Sequence, residues 1–364
     1  MTRSIFFNGR FLSQPLTGVQ RYAVEVFKAL DALVESGPID TGGCSLVILT
    51  PPEPCSPLPL KHIEVHTVGR LKGNLWEQID LPWHARRGLL FSPCNIGPLL
   101  HFNQVVTIHD ASVYAVPEAY STLFRLKYKI IFQILGKTAR HVFTDSEFSR
   151  KELAAYCGIS PERVQVVPLG REHILNVPAD AGVFKKYDIG QKPYVLAVSS
   201  NSPHKNLVGL VKAVEGLGQT DFEVVMVGGT FSKVFQKTEI KLPEMVKRIG
   251  YANDSELRAL YEQAVCFVYP STYEGFGLPP LEAMTLGCPV VVSKAASLPE
   301  VCGDAVVYCD PHDPADIREK MLLTLRDQKM RLDLRARGYE TSRRFSWAST
   351  ALALWRVLKN NGCM

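Results

Sequence analysis

Short apolar runs alternate with amphipathic segments along the whole chain. The apolar runs are rich in β-branched residues and include SLVILT, QVVTIHD, YVLAVSS, FEVVMVGG and PVVVS. Such runs are typical of strands that are buried on both faces. Between them lie segments such as GVQRYAVEVFKAL, where Val19, Tyr22, Ala23, Val26 and Leu30 share one helical face. This alternation predicts parallel sheets joined by crossover helices.

The segment LGREHILNVPADAGVFKKYDIGQKP breaks the alternation, at about residues 170 to 192. It is irregular, contains several Gly and Pro residues, and precedes a fresh strand. A chain of 364 residues is also long enough for two cores. We therefore predict an α/β protein with two doubly wound, Rossmann-like domains, residues 1–175 and 190–340. Such domains bind ligands at the carboxyl ends of their strands, so the cleft between them is the expected site.

Composition narrows the class of partner. The net charge of +5 suits a surface that meets anions but falls short of a nucleic-acid-binding signature, so no nucleic-acid partner is expected. No apolar run approaches the length of a membrane span, and MTRSIFFNGRF predicts a first strand and not a signal peptide. Nine scattered cysteines without C-x-x-C favour a reduced, cytoplasmic compartment and argue against structural zinc.

The segment CFVYPSTYEGFGLPPLEAMTLGCPVVVS, residues 266–293, places a glycine-rich turn between two apolar runs. Pro279 and Pro280 suit the first turn of a helix, where backbone N–H groups have no helical partner. Gly287 is a natural C-terminal cap. The pattern predicts a strand, a turn, a short helix and a second strand.

The start of this helix is a predicted anion site. The free N–H groups of Phe276, Gly277 and Leu278 would point outward, and the helix dipole favours negative charge there. Gly275 and Gly277 let the backbone approach the anion closely. The turn is therefore expected to hold a phosphate or diphosphate.

Glu274 and Glu282 flank this turn. Ionised carboxylates only accept hydrogen bonds, so hydroxyl groups beside the diphosphate are their natural partners. Glu282, about one turn inside the helix, could take both hydroxyls of a ribose, and Glu274 could reach a sugar on the other side. Taken alone, two acids near a helix start would more simply satisfy the dipole. In this context they favour a nucleotide sugar.

The run E-G-F-G-L-P-P-L-E-A-M resembles the E-x7-E signature of family four retaining glycosyltransferases, which adopt the two-Rossmann GT-B fold. The resemblance continues in IGYANDSELRALYEQAVCFVYPS, VVVSKAASLPEVCGDAVVYCDPHDP, NSPHKNLVGLVKAV, VFTDSEFSRKEL and TGVQRY. These segments occur in the family's order and cover most of the chain. The pattern looks most like that of bacterial polysaccharide mannosyltransferases.

Lys205 precedes a predicted helix that starts near Asn206. A lysine there opposes the helix dipole, which is understandable if an anion lies between them. The resemblance implies that Lys205 is the diphosphate-binding lysine. Relatives often carry an arginine about five residues earlier, where this chain has Ser200. Two alternatives are expected: His204 or another arginine compensates for the missing cation, or stabilisation of the leaving group rests more on Lys205 and backbone N–H groups.

Two sites are expected in the first domain. Thr17 can cap a helix that begins near Gly18, and a plain turn glycine is an equally good local interpretation of Gly18. The resemblance implies that this loop faces the diphosphate. It also gives His109, at the end of an apolar strand, a role in positioning the transferred sugar. From the residues alone, Asp110 could simply cap the following segment.

The segment FRLKYKIIFQILGKTAR predicts a helix with two faces. One face carries Arg125, Lys129, Gln133, Lys137 and Arg140. The opposite face carries Phe124, Tyr128, Ile131, Phe132 and Leu135. A solvated face over a core face is the favoured interpretation. A peripheral contact with the inner face of the membrane is the alternative, and it fits an acceptor carried on a polyprenyl lipid.

Residues 341–364 contain RRFSWASTALALWRVLKNNG, which predicts a helix with an apolar face. Its counterpart in the family crosses back onto the first domain. A helix packed on its own domain would show the same pattern.

The resemblance implies a retaining hexosyltransferase. Lys205, Glu274 and His109 are the predicted catalytic residues, and the leaving phosphate is expected to take the proton. GDP-mannose is the first choice of donor, followed by a deoxyhexose donor and UDP sugars, with a lipid-linked or cell-surface glycan as acceptor. No D-x-D of the metal-holding type occurs, so neither a metal nor a cofactor beyond the donor is expected.

Two other classes stay open. Ser200 permits a catalytically idle nucleotide-sugar-binding subunit, although both glutamates and Lys205 argue against it. A phosphorylase or a sugar-nucleotide epimerase on a similar fold is the other alternative. Phosphorylases need a lysine that binds pyridoxal phosphate, and none is identifiable in this sequence.

Overall fold

The computed structural model describes residues 4–199, 202–215, 217, 220–228 and 243–362. Ser200, which is predicted to stand where relatives carry an arginine, lies outside the described residues. The strands are β1 (Ser4–Asn8), β2 (Ser45–Thr50), β3 (Glu64–Thr67), β4 (Leu89–Ser92), β5 (Gln104–Thr107), β6 (His141–Thr144), β7 (Val164–Val166), β8 (Tyr194–Val198), β9 (Glu223–Val227), β10 (Val246–Gly250), β11 (Cys266–Tyr269), β12 (Val290–Ser293) and β13 (Val307–Cys309).

The α-helices are α1 (Gly18–Glu35), α2 (Gly73–Leu75), α3 (Leu81–Ala85), α4 (Ser112–Ala115), α5 (Thr122–Thr138), α6 (Glu147–Cys157), α7 (Gly182–Lys186), α8 (Leu207–Glu215), α9 (Asp254–Gln263), α10 (Leu278–Thr285), α11 (Leu298–Cys302), α12 (Pro314–Arg326), α13 (Gln328–Ser342) and α14 (Trp347–Gly362). One turn of π-helix, Trp76–Asp80, joins α2 to α3. Short 3₁₀ turns complete the connections, among them Pro117–Ala119, Glu172–Ile174 and Pro203–Lys205.

The chain divides into two units. Unit 1 comprises Met1–Ala111, Leu126–Gly170 and Ser346–Met364, and unit 2 comprises Ser112–Arg125 and Arg171–Phe345. Unit 1 contains a seven-stranded parallel sheet in the order β3-β2-β1-β4-β5-β6-β7. Unit 2 contains a six-stranded parallel sheet in the order β10-β9-β8-β11-β12-β13. In each sheet, successive strands are added first on one side of the first strand and then on its other side, as in Rossmann folds. The predicted fold class is therefore confirmed.

The core of unit 1 forms because its central strands are apolar and have helices on their faces. Phe7 of β1 packs against Phe27 of α1 and Phe91 of β4, with ring centroids 4.8 and 6.4 Å apart. All three rings are fully buried. On α1, Tyr22, Ala23, Val26 and Leu30 are buried as the periodicity predicts, whereas Val19 is only partly buried.

The C-terminal helix α14 is part of unit 1, where it packs against α1. Trp347 meets Tyr22 edge to face, with ring centroids 6.3 Å apart. Thr350 Oγ1 donates a hydrogen bond of 2.6 Å to the carbonyl of Pro168. The apolar face predicted from the sequence therefore covers the helix layer of this unit.

The core of unit 2 joins the inner strands to the helices α8 and α12. Buried side chains from four strands meet there: Val195, Val224, Val268 and Val291. The amphipathic helix α8 covers them with Leu210 and its neighbours. This packing fixes the strands whose carboxyl ends carry the predicted site.

The bounds of the two units differ from those of the predicted domains, residues 1–175 and 190–340. Unit 2 already begins at Arg171, and it also takes in Ser112–Arg125. The physical reason is local, because the turn Pro117–Ala119 packs against the turn Pro203–Lys205 of the same unit. The sequence gives no sign of this return, since the segment follows β5 without a break in composition.

Candidate active site

The predicted site residues of unit 2 gather at the centre of its sheet. The strands β8 and β11 are hydrogen-bonded neighbours at the point where the strand order reverses. β8 leads to the turn Pro203–Lys205, and β11 leads to the glycine-rich turn around Glu274. Ligands of doubly wound sheets bind at this position.

The glycine-rich turn leads directly into α10, as predicted. The helix starts at Leu278 with prolines in its first turn, and Gly277 occupies the N-terminal cap with φ +108°. Side chains rarely adopt that backbone conformation, and an added Cβ would come within 2.7 Å of Leu298 Cδ2. Ser297 Oγ donates hydrogen bonds of 2.9 Å to the carbonyls of Glu274 and Phe276, which holds the turn in place.

Lys205 and Glu274 form an ion pair in this site. Lys205 Nζ lies 2.8 and 2.9 Å from the two carboxylate oxygens of Glu274. It also donates a 2.8 Å hydrogen bond to the hydroxyl of Tyr269, at the end of β11. Ser271 Oγ donates to Glu274 Oε1. The sequence analysis assigned Lys205 and Glu274 to one donor but did not predict their direct contact.

The ion pair determines the charge of Glu274. Burial alone would raise the pKa of this carboxyl, but the charges of Lys205 and His204 and the hydrogen bonds from Lys205 and Ser271 hold its pKa below the ordinary value. Burial and the neighbouring Glu274 raise the pKa of Tyr269 well above its ordinary value. At neutral pH the cluster therefore contains a carboxylate, an ammonium and a neutral phenol.

Glu282, one turn into α10, is buried with its own partners. Oε1 lies 2.8 Å from His173 Nε2, and Oε2 accepts a 3.2 Å hydrogen bond from the hydroxyl of Tyr261. His173 belongs to the turn Glu172–Ile174, and Tyr261 belongs to α9. Burial and Glu282 together raise the pKa of Tyr261 well above its ordinary value, so its hydroxyl stays a donor.

The turn Pro203–Lys205 is tied to the glycine-rich segment through its backbone. The carbonyl of His204 accepts a hydrogen bond of 2.7 Å from the Thr272 N–H, and Ser271 Oγ lies 2.9 Å from the same carbonyl. His204 Nδ1 lies 2.8 Å from Ser202 Oγ. The helix α8 begins at Leu207 and not at Asn206, which instead adopts a left-handed conformation with φ +55°.

Gly18 opens α1 in unit 1, as predicted. The predicted capping bond of Thr17 is wrong, because its hydroxyl accepts no hydrogen bond from a backbone N–H and instead donates to the side-chain oxygen of Gln20. An added Cβ at Gly18 would meet no protein atom within 4 Å. The fold itself therefore does not require glycine here, and a role in approaching a diphosphate stays a prediction.

His109 follows β5 and is held on both sides of its ring. Nε2 lies 3.0 Å from the carbonyl of Pro93, which can only accept, so this nitrogen carries a proton. Nδ1 lies 2.8 Å from Asp145 Oδ2. Burial alone would lower the pKa of His109. The charge and the hydrogen bond of Asp145 act in the opposite direction, and the pKa lies above its ordinary value. The predicted contact with the transferred sugar would have to compete with these bonds.

No group of three His, Cys, Asp or Glu side chains that could hold a metal ion occurs among the described residues. The described helices include none that is both long and apolar enough to cross a bilayer.

The sequence did not predict several partners of the site residues, among them Tyr269, Tyr261, His173 and Asp145. Tyr261 and Tyr269 lie inside the segment that resembles the family, but tyrosines in apolar segments are typical core residues. His173 lies in the irregular segment between the domains. No local pattern distinguishes these residues, because each contact depends on the sheet order.

Two family models match the chain in succession. Residues 17–173 match the model described as Glycosyltransferase Family 4, and residues 182–341 match the model described as Glycosyl transferases group 1. One model thus covers most of the first half of the chain and the other most of the second half.

Two relatives are 36% and 28% identical to this chain over the residues that match. The O-antigen chain mannosyltransferase B of Escherichia coli is 36% identical over 255 residues, which are 67% of this chain and 66% of the relative. The O-antigen chain mannosyltransferase RfbU of Salmonella typhimurium is 28% identical over 59% of each chain. The match therefore spans less than two thirds of either relative.

Solved structures with the same fold extend over nearly the whole chain. The sucrose-phosphate synthase of Thermosynechococcus elongatus superposes with a TM-score of 0.73 at 18% identity, over 98% of both chains. WaaG, a glycosyltransferase involved in lipopolysaccharide biosynthesis, gives a TM-score of 0.70 at 17% identity, over 98% of this chain and 99% of its own. From the two family models, the mannosyltransferase relatives and this fold, we conclude that the chain belongs to glycosyltransferase family 4 and has the GT-B fold.

Proposed function

We propose that the protein is a retaining glycosyltransferase that moves a hexose, first of all mannose from GDP-mannose, to a glycan acceptor. The observation that carries the proposal is the cluster of Lys205, Glu274 and Tyr269 beside the start of α10. It combines a partly exposed cation, a helix start and a carboxylate that can accept hydrogen bonds from sugar hydroxyls, at the point where the strand order of the sheet reverses. Those are the groups that a nucleotide sugar requires.

The donor diphosphate would lie at the first turn of α10, where the helix dipole favours an anion. Lys205 would then exchange Glu274 for a phosphate oxygen, which is a change between two anionic partners of the same lysine. The side chain of Lys205 is 22% exposed, so it can meet a ligand from the solvent side. Glu274, released from Lys205, would accept hydrogen bonds from the hydroxyls of the sugar.

The transfer breaks the bond between the anomeric carbon and the phosphate oxygen. The acceptor hydroxyl forms the new bond on the face from which the diphosphate leaves, and its proton passes to the departing phosphate. Charge develops on that phosphate and on an oxocarbenium-like sugar. Lys205 and the N–H groups at the start of α10 would stabilise the first of these, so catalysis is mainly electrostatic and positional. This scheme assigns no protein nucleophile and no metal.

The choice of mannose is supported by the names of the two relatives described above, which are both O-antigen chain mannosyltransferases. These names also support a growing cell-surface glycan as acceptor. A deoxyhexose donor and UDP sugars are the next candidates. Nothing in the contacts of Glu274 and Glu282 selects the base.

A lipid-linked acceptor would bring the protein to a membrane surface, in keeping with the predicted cytoplasmic location. One feature of unit 1 supports this part of the proposal. Ile79 and Trp83 are more than half exposed, and Ile130 of α5 is 46% exposed. A cavity of about 250 Å³ is bordered by the helical turn that precedes α3 and by helix α5. Its lining includes Ile130 and Lys127. Exposed apolar groups beside basic side chains suit an anionic lipid surface.

Nucleoside diphosphate release from a panel of GDP-, UDP-, dTDP- and ADP-sugars tests the proposal. The assay contains EDTA and a crude lipid-linked acceptor fraction. We expect acceptor-dependent release from one donor, with GDP-mannose the first candidate. Release that requires an added metal would contradict the metal-free scheme. A nucleotide that raises the melting temperature while every donor stays intact in the presence of the acceptor would favour the idle subunit.

A further inference from the structure

The carboxylate of Glu282 is held by one donor on each oxygen. His173 Nε2 lies 2.8 Å from Oε1, and the hydroxyl of Tyr261 lies 3.2 Å from Oε2. The two donors come from separate elements, a 3₁₀ turn and α9, and are 109 and 21 residues away from Glu282. The plane and direction of the carboxylate are therefore set from outside α10.

This arrangement leaves hydrogen-bond acceptor positions for a ligand on the same carboxylate. The two oxygens of an ionised carboxylate offer about four acceptor positions. His173 and Tyr261 use one on each oxygen, so each oxygen keeps a second position. The two neighbouring hydroxyls of a ribose can donate to these remaining positions without displacing either protein donor.

His173 itself has a fixed orientation. Its side chain is 1% exposed, so the ring cannot rotate without disturbing its packing. The segment that follows it is fastened to α9, because Arg258 Nη1 donates hydrogen bonds of 2.8 and 2.7 Å to the carbonyls of Leu175 and Val177. α9 also carries Tyr261, so both donors to Glu282 belong to one connected support.

We propose that His173 is a positioning residue for the donor, which orients Glu282 so that both of its oxygens face the ribose hydroxyls. The inference rests on the proposed function and deepens it, because His173 lies outside the segments that resemble those of family four glycosyltransferases. Groups that orient a ligand-binding side chain from behind control affinity although they never touch the ligand. A glutamate with three rotatable bonds would otherwise lose rotational freedom each time the donor binds.

A purely structural role makes a different prediction. In that case His173 only compensates for burying a carboxylate, and its removal would weaken the fold without discriminating between ligands. The two roles are separated by the ribose hydroxyls, since a positioning role acts only through them.

The decisive experiment measures the affinity of GDP and of 2′,3′-dideoxy-GDP by calorimetry for the wild type and for His173→Leu. We expect the variant to bind GDP about tenfold more weakly, the loss of roughly one charge-assisted hydrogen bond. The dideoxy compound should bind both proteins with the same, lower affinity. Equal losses for the two compounds, or no loss for GDP, would overturn the positioning role.

Further variants keep the comparison conclusive. His173→Gln retains an N–H donor close to the position of Nε2, so it should recover most of the GDP affinity. Tyr261→Phe removes the donor to the other oxygen and should repeat the GDP-specific loss, which also covers a His173→Leu protein that does not fold. Tyr194→Phe is the matched control, because the buried hydroxyl of Tyr194 donates to the carbonyl of Leu260 and not to Glu282.

The same titrations separate this inference from the proposed function. A wild type that binds neither GDP nor any of the other nucleoside diphosphates contradicts both. A wild type that binds GDP more tightly than dideoxy-GDP, with His173→Leu retaining that preference, contradicts only the role of His173.

Discussion

Lys205 Nζ lies between the two carboxylate oxygens of Glu274, at 2.8 and 2.9 Å. The cation that the proposed mechanism assigns to the diphosphate and the carboxylate that it assigns to the sugar thus neutralise each other. This pairing explains how both charges can be largely buried. It also means that a diphosphate must compete with Glu274 for the same ammonium group.

Replacing Lys205 with Ala should reduce turnover more than donor affinity. Its charge matters most when negative charge develops on the leaving phosphate, so we expect kcat to fall by about 10²-fold. The KM for the donor should change much less. Steady-state rates of acceptor-dependent GDP release measure both quantities.

Lys186→Ala is the matched control for this variant. Lys186 Nζ lies 2.8 Å from Glu256 Oε1 in the same unit, and the hydrogen bonds of these two residues do not involve Lys205 or Glu274. This change should leave kcat and KM unaltered. An unchanged kcat in Lys205→Ala would rule out its role in leaving-group stabilisation.

Replacing Glu274 with Gln should separate nucleotide binding from transfer. Glutamine keeps the shape of the side chain but loses the charge that competes for Lys205. GDP, which lacks the sugar, should therefore bind more tightly, by about fivefold if the ion pair is worth about 1 kcal/mol. Transfer of the sugar should become slower, because Glu274 no longer presents two acceptors to the sugar hydroxyls. Weaker GDP binding to this variant would show that Lys205 does not exchange partners.

The ion pair should also affect stability at acidic pH. The folded-state pKa of Glu274 lies below its ordinary value of 4.5, so the ionised carboxylate stabilises the fold above that pH. This stabilisation is lost as the pH falls through the folded-state pKa. The difference in unfolding free energy between the wild type and Glu274→Gln should be constant between about pH 7 and pH 5 and shrink at lower pH. Urea titrations across this range measure it, and a difference that grows on acidification would contradict the assigned direction.

The apolar surface of unit 1 should bind anionic vesicles. We expect the wild type to sediment with vesicles of phosphatidylglycerol and phosphatidylethanolamine, and the double variant Ile79→Glu, Ile130→Glu to sediment much less, because charge at these positions opposes insertion. Leu332→Glu is the control, since Leu332 in α13 of unit 2 is similarly exposed at 59%. An equal loss in the control, or no binding by the wild type, would remove the support for a membrane-bound acceptor.

The elements that bear the site were predictable because their signals are contiguous in the sequence. The turn with Gly277, the prolines after it and the end at Gly287 follow from backbone conformations that few residues allow. The two parallel sheets follow from apolar runs alternating with helical segments. Even the start of α1 at Gly18 agrees with the prediction.

The partners within the site could not be predicted in this way. Tyr269 contacts Lys205 across 64 residues of chain, and His173 contacts Glu282 across 109. Such contacts arise only once the strand order has placed β8 beside β11 and the turn of His173 beside α9. His109 is a further example, since the contact of its Nδ1 with Asp145 spans 36 residues and has no local signal in the sequence.

The central claim is that this chain transfers a sugar from a nucleotide to an acceptor with retention of configuration. The most direct measurement is to incubate the protein with GDP-α-mannose, a lipid-linked glycan fraction and EDTA, and to determine the product by mass spectrometry and NMR. We expect an acceptor extended by one hexose in the α-configuration, with an equal amount of GDP. A β-linked product, or GDP-mannose that stays intact while another nucleotide sugar is consumed only in the presence of metal, would contradict it.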